Sequence, residues 1–427
     1  MMQTDARLLI LDDDAHIGKM VQLIAESVGL TARFMTTTVE FFQAVEEWHP
    51  THIALDLVMP EMDGVEVLVK LANRNCRAKI IITSGVGTRV LDAAGRSANE
   101  HGLNIAGVLS KPFSPRTLRA LLVGAPGTDD KRNSASLYTP APSGSSHASE
   151  SIARELRHAL DRRELTLAFQ PQIHCSTGAI AGFEALVRWS HPTRGTVMPG
   201  EFISCAETHG LIHELTDYVL DLALEWYAQR FAGSELTIAV NLSCRTTSRI
   251  PFLDEAAGTG SDFSLVDSIT ALCRKTGMKP ECLILELTET SAMDNPVMTL
   301  DLLTRLRMKG LQLSIDDFGT GYSSMLQLVR LPFSEIKVDK SFVTTATRST
   351  ESRAVVESII GLGHSLGLRM VAEGVEDAET MQYLRDVRCD RAQGYFIARP
   401  MPGEAVWEWL EHHARSSHSG GAQRPLL

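Results

Sequence analysis

Two α/β units are predicted: a doubly wound parallel sheet in residues 1–123 and a (β/α)8 barrel in residues 151–415. Three observations predict this. The chain has 427 residues, more than one ordinary core accommodates. From 124 to 150 it reads GAPGTDDKRNSASLYTPAPSGSSHASE, with little to bury, which is the composition of a flexible linker. On both sides of that stretch short apolar runs alternate with amphipathic ones, the beat of a parallel sheet covered by helices.

In the first unit the apolar runs are Leu8–Leu11, His52–Leu55, Lys79–Thr83 and Ile105–Leu109, separated by stretches such as Ile17–Val28. In the second they are Leu165–Gln172, Ile180–Leu186, Thr237–Asn241, Leu283–Leu287, Gln312–Asp316, Glu335–Val338 and Arg369–Ala372, with a last one near Gly394. Eight runs with helical stretches between most of them predict a closed barrel. Residues 416–427 are expected to form a disordered tail.

Bulk properties narrow the function. A net charge of -11 opposes binding to a DNA or RNA polymer, which needs clustered Lys and Arg. A small anionic ligand stays possible, because divalent cations reverse the field of an acidic pocket. The seven cysteines are scattered and form no C-x-x-C pair, so neither zinc nor a disulfide framework is indicated. The apolar run Leu8–Leu11 is too short for a signal peptide, and no run has the length of a membrane span. A cytoplasmic protein without membrane association is the expectation.

In the first unit polar residues follow the apolar runs: Asp12, Asp13 and Asp14, then Asp56, then Thr83 and Ser84, then Lys111. In a doubly wound sheet these strand ends share one crevice. Clustered carboxylates there call for a divalent cation such as Mg²⁺. An aspartate beside that cation can attack a phosphoryl donor while a lysine and a hydroxyl steady the oxygens. The plainer alternative, that the acidic run caps a helix and Lys111 is merely exposed, suits Asp12–Asp14 alone better than it suits the whole set. With LDLVMPEMDG and SKPF, the unit resembles the receiver domains of two-component response regulators. The resemblance implies Asp56 as phosphoacceptor, Asp12 and Asp13 as the Mg²⁺ pair, Thr83 as switch hydroxyl and Lys111 as phosphate contact. It also implies a sensor histidine kinase or phosphotransfer protein as partner. Val108 stands where that family usually carries an aromatic switch residue.

In the second unit Glu184, Asn241, Glu286, Glu289, Asp316, Asp317, Lys337, Glu373 and Gln393 fall at or near predicted strand ends. A barrel gathers such ends on its catalytic face. So many carboxylates at one spot require hard cations, Mg²⁺ or Mn²⁺. Two ions about 4 Å apart would clamp a phosphodiester and activate water. Singly, each residue has an ordinary explanation as a salt bridge, turn residue or cap; their joint placement does not. The segments QPQI, EALVRW, DDFGTGYSS, VDKSF, AEGVE and QGYFIARP make the unit closely similar to the EAL family of cyclic di-GMP phosphodiesterases.

That resemblance implies hydrolysis of cyclic di-GMP to linear pGpG by two metal ions. Glu184, Asn241, Glu286 and Asp316 would hold one ion, and Asp316 would bridge to a second held by Asp317. Lys337 would orient the attacking water, and Glu373 would act as general base or partner of the second ion. Gln170, Leu186, Arg188 and Gln393 would bind substrate. Glu289 would anchor a mobile loop, 317–324, tied to dimerisation, so a homo-oligomer is expected. The stretch after Asn241 is longer than usual in that family. The competing reading is a catalytically silent cyclic di-GMP sensor, and the presence of Glu184, Lys337 and Glu373 weighs against it. Asp317-Phe318-Gly319 lacks the companion motifs of a kinase. Gly361-x-Gly363 fits helix packing better than phosphate binding.

Overall fold

The computed structural model describes residues 6–60, 62–85, 87–123, 146–243, 265–289, 296–319 and 325–419. Two compact units emerge. The first is a five-stranded parallel sheet of β1 (Arg7–Leu11), β2 (Thr31–Met35), β3 (His52–Asp56), β4 (Lys79–Ser84) and β5 (Asn104–Ser110), in the order β2-β1-β3-β4-β5. The pleat sends alternate side chains to opposite faces. Leu9, Leu11, Ile53, Leu55, Ile80 and Ile82 pack in one core, whereas Leu8, Ile10, Ala54 and Ile81 pack in the other. Helices therefore cover both faces, as a buried parallel sheet requires. The order reverses between β1 and β3, so Asp12 and Asp56 flank the switch point.

The second unit is a barrel of β6 (Leu165–His174), β7 (Ile180–His191), β9 (Thr237–Asn241), β10 (Leu283–Thr288), β11 (Gln312–Phe318), β12 (Glu335–Val338), β13 (Arg369–Ala372) and β14 (Arg391–Ala392). It closes through β6 and β7, while β8 (Gly195–Val197) and β15 (Met401–Pro402) extend its edges. The predicted bounds of β9, β12 and β13 match those observed.

Three expectations change. The barrel is not all-parallel: β6 runs antiparallel to both β7 and β14. A helix occupies Ser146–Asp161, so the last residues of the predicted linker are helical. Its seed, SHASE, is small and polar but holds no proline. The final helix, Ala405–Ser419, likewise runs into the predicted tail. Residues 124–145, 420–427, 320–324 and most of the long stretch after Asn241 lie outside the described residues. Gly361 and Gly363 sit within helix Thr350–Ser365 rather than in a loop. No helix among the described residues is long and apolar enough to cross a membrane.

Candidate active site

In the first unit the acidic run divides by role. Asp14 caps helix Ala15–Glu26, accepting from the N–H groups of His16 at 2.8 Å and Ile17 at 3.3 Å. Asp12 is instead buried and accepts from Lys111 Nζ at 2.8 Å, and the same ammonium donates to Asp56 at 2.9 Å. Carboxylate oxygens of Asp12, Asp13 and Asp56 come within 4.8 Å of one another, a spacing that can hold one cation. Burial pushes the Asp56 carboxyl above its ordinary range, only partly opposed by Lys111. Thr83 stands in register beside Asp56 across β3 and β4 and donates to Leu55 O at 3.4 Å. Val108 is half-buried against the core. Gly64 is required sterically: a Cβ there would lie 2.5 Å from Asp56 O.

In the barrel, Lys337 is fully buried and lies among four carboxylates. Its Nζ is 2.7 Å from Glu373, 3.0 Å from Glu286, 3.3 Å from Asp316 and 3.5 Å from Glu184. Burial disfavours an ammonium, yet Glu184, Glu286, Glu373 and Asp316 hold its pKa well above the ordinary value. Burial pushes Glu184 upward, but Lys337 and the amides of Gln393 and Asn241 outweigh it, and its carboxyl titrates below the usual range. Glu286 goes the other way, raised by burial and by the charge of Glu184. Burial and Asp316 raise Asp317 to about 6. Glu373 is pushed by burial to about 8 despite Lys337.

Local backbone explains how adjacent residues both serve the site. Along a regular strand Asp316 and Asp317 would point to opposite faces. Here the β11–β12 register shifts between Ile315 and Phe318, and Asp317 adopts φ 54. A bulge of this kind re-aims a side chain, and strain of this kind is held where surrounding structure demands it. The result brings carboxylate oxygens of Asp316, Asp317 and Glu373 within 4.8 Å. Next in the chain, Gly319 takes φ 105, open to glycine, and its N–H donates to Glu289 Oε2 at 3.0 Å.

An amide chain supports the acidic set. Gln393 Nε2 donates to Glu184 at 2.6 Å and to Gln170 at 2.9 Å, while Asn241 Nδ2 donates to the other Glu184 oxygen at 3.0 Å. Gln172, fully buried, donates to Gln393 Oε1 at 2.9 Å. Sequence reasoning missed Gln172; its position two residues from Gln170 on one strand was the available signal. Leu186 and Arg188 line an adjoining cavity of about 300 Å³ together with Asn241, Ser243 and Thr288. All the residues expected at this site are thus gathered at one barrel end or beside it.

The donor set fits divalent cations. Five carboxylates (Glu184, Glu286, Asp316, Asp317 and Glu373) face a single ammonium, so formal charge is heavily negative. Glu286 Oε1 is buried with no hydrogen-bond partner among the described residues. Such an oxygen is costly to leave unpaired, and a cation satisfies it.

Comparison with known proteins accords with this geometry. The family model for the response regulator receiver domain matches residues 8–123, and the EAL domain model matches residues 153–400. The bifunctional diguanylate cyclase/cyclic di-GMP phosphodiesterase MucR of Pseudomonas aeruginosa is 36% identical over 307 residues, 70% of this chain and 43% of MucR. The cyclic di-GMP phosphodiesterase RocR of the same organism is 34% identical over 349 residues, 81% of this chain and 83% of RocR. A solved structure of the PaMucR phosphodiesterase in complex with c-di-GMP shares 39% identity. It covers 60% of this chain and 99% of its own, with a TM-score of 0.54. The chain therefore spans less than half of MucR but most of RocR. With both motif sets, the barrel and these relatives in agreement, the chain belongs to the EAL domain family and carries a response regulator receiver domain before its EAL domain.

Proposed function

We propose that this protein is a cytoplasmic response regulator whose barrel hydrolyses cyclic di-GMP to linear pGpG with two divalent cations, Mg²⁺ or Mn²⁺. The observation that carries the proposal is the ring of Glu184, Glu286, Asp316 and Glu373 around Lys337, beside a cavity lined by Leu186 and Arg188. The substrate comes from the relatives: RocR and MucR are named for cyclic di-GMP, and the MucR barrel was solved with it.

In this proposal Glu184, Asn241, Glu286, Asp316 and Asp317 would hold the two ions, with Asp316 positioned to serve both. When bound, the ions neutralise the carboxylates, polarise the phosphodiester and lower the pKa of the attacking water. Arg188 grips a phosphate oxygen through its planar fork. Leu186 packs against a base, and Gln170 and Gln393 present amides to it. Lys337, steadied by Glu373 and Glu286, donates a hydrogen bond to the attacking water and sets its direction. Glu373 accepts the proton. Water oxygen joins phosphorus, the P–O3′ bond breaks, the leaving O3′ takes a proton from solvent water to become a free hydroxyl, and Glu373 returns the proton it accepted to solvent.

In the receiver, Asp12, Asp13 and Asp56 would hold one Mg²⁺. Asp56 takes a phosphoryl group from a sensor histidine kinase or phosphotransfer protein. Thr83 and Lys111 then bind its oxygens, and barrel activity changes. Glu289, through Gly319, anchors a loop that links the site to homo-oligomer formation. The deciding experiment incubates full-length protein with cyclic di-GMP and Mn²⁺ or Mg²⁺ and follows pGpG by chromatography, with a chelator as control. Tight binding without pGpG would replace hydrolysis with the sensor reading.

A further inference from the structure

A second polar cavity, about 320 Å³, lies at the opposite end of the barrel from the acidic ring. Its walls come from strand starts and from the reversed strand: Arg369 begins β13, Arg391 begins β14, and His174 ends β6, paired with Arg391. Arg385, Arg388 and Asp390 complete the rim. In a chain with a net charge of -11, this corner is basic. Four guanidiniums face two carboxylates, Asp390 and Glu335, which leaves +2 with His174 neutral.

Its carboxylates are engaged through one oxygen each, while Glu335 Oε1 is buried without a hydrogen-bond partner among the described residues. Asp390 Oδ2 accepts from His364 at 3.0 Å and from the Met370 N–H at 2.8 Å. Glu335 Oε2 is 3.1 Å from Arg369 and 3.8 Å from Arg391. Arg391 is 6% exposed, donates through Nη1 to Thr237 at 3.0 Å, and leaves Nε buried without a partner among the described residues. A buried guanidinium short of a hydrogen bond is unfavourable unless a ligand supplies the acceptor. The field is strong enough to register on its neighbours: burial and then Arg391 and Arg369 depress His174.

Arg388 is the most telling residue. It stands at φ 60 as the left-handed residue that closes helix Ala378–Asp386, where the Cys389 N–H donates to Leu384 O at 2.9 Å, a position glycine adopts more freely than a long side chain. Its side chain is exposed at the rim and makes no hydrogen bond or ion pair among the described residues. The helix end thus leaves an unengaged cation at the rim of a basic cavity.

We propose that this cavity binds a phosphate group, as inorganic phosphate or the phosphomonoester of a nucleoside monophosphate. The volume sits at the small end of ligand sites. Guanidinium forks match phosphate oxygens in pairs, and a dianion balances the +2 of the walls. The site is separate from the acidic ring and does not depend on the hydrolytic activity.

The test is calorimetric titration of the full-length protein with phosphate, GMP and sulfate in chelator, at matched ionic strength. Chelation keeps both acidic clusters negative, so they repel these anions. Phosphate or GMP should bind in the millimolar range or tighter, and Arg388→Gly should weaken binding about tenfold or more. The same variant should melt at the wild-type temperature or above it, because glycine adopts the left-handed position more freely. Arg385→Gln should also weaken binding. Tighter binding of GMP than phosphate identifies a nucleotide as the occupant; equal binding identifies phosphate itself. Absence of binding by the wild type, or undiminished binding by Arg388→Gly, overturns the proposal.

Discussion

Lys337 Nζ lies 2.7 Å from Glu373 Oε1, nearer than to any of the other three carboxylates around it. The pair joins the donor proposed to aim the attacking water to the acceptor proposed to take its proton. Glu373→Gln keeps size and a hydrogen-bond acceptor but removes the basic oxygen. Turnover of cyclic di-GMP is expected to fall by about 10²–10⁴-fold with substrate binding within a few-fold of wild type. Glu184→Ala should also stop turnover, but with lost cation affinity. Single-turnover kinetics beside equilibrium binding separate the two, and a Glu373→Gln enzyme of near-normal rate removes the assigned role.

Cation binding should be proton-linked. Without cations Asp317 titrates at about 6 and Glu373 at about 8, so a cation on Asp317 displaces its proton and, from within 4.8 Å, favours the ionised form of Glu373. Affinity for Mn²⁺ is expected to climb as pH rises from about 6 to about 8, with protons released on binding. Titrations in buffers of different ionisation enthalpy measure that release. A pH-independent affinity contradicts it.

The stability of the cation-free barrel follows with the opposite sign. A carboxyl whose folded pKa exceeds its unfolded value favours the fold at low pH and loses that contribution as pH rises through the folded value. For Glu373 the window runs from the ordinary 4.5 to about 8. In chelator the melting temperature should decline across that window, and Glu373→Gln should flatten the slope.

Asp56 and Gly64 make the receiver testable. Phosphorylation of Asp56 by a small acyl-phosphate donor is expected to change pGpG release, and Asp56→Asn should abolish the response. Equal rates for wild type and Asp56→Asn, each with and without the donor, with modification of the wild type seen by intact mass, would end the regulatory proposal. Gly64→Ala forces a methyl to within 2.5 Å of Asp56 O and should destabilise the receiver by about 1–3 kcal/mol in denaturant unfolding.

Apolar runs marked strands well where burial on both faces kept them unbroken, as at Glu335–Val338 and Arg369–Ala372. TARFM, now β2, was overlooked because an edge strand mixes exposed and buried positions. The direction of β6 was not legible, since a period of two is the same read either way; only pairing with β7 and β14 settles it. The acidic ring was legible because its members were carboxylates near strand ends. The bulge that unites Asp316 with Asp317 was not, being a backbone event within an ordinary-looking run. Gln172 was hidden for a similar reason: an amide in a strand carries no charge to draw notice.

Lys337 also bears on how the protein matures. A newly made barrel that had to close around five bare carboxylates would resist compaction until cations arrived. An ammonium at their centre, with protons held by Glu373 and Glu286, lets the chain reach its final shape first. On the proposed function, assembly and cation loading would be separable, and the cell's supply of divalent ions would govern the second without jeopardising the first.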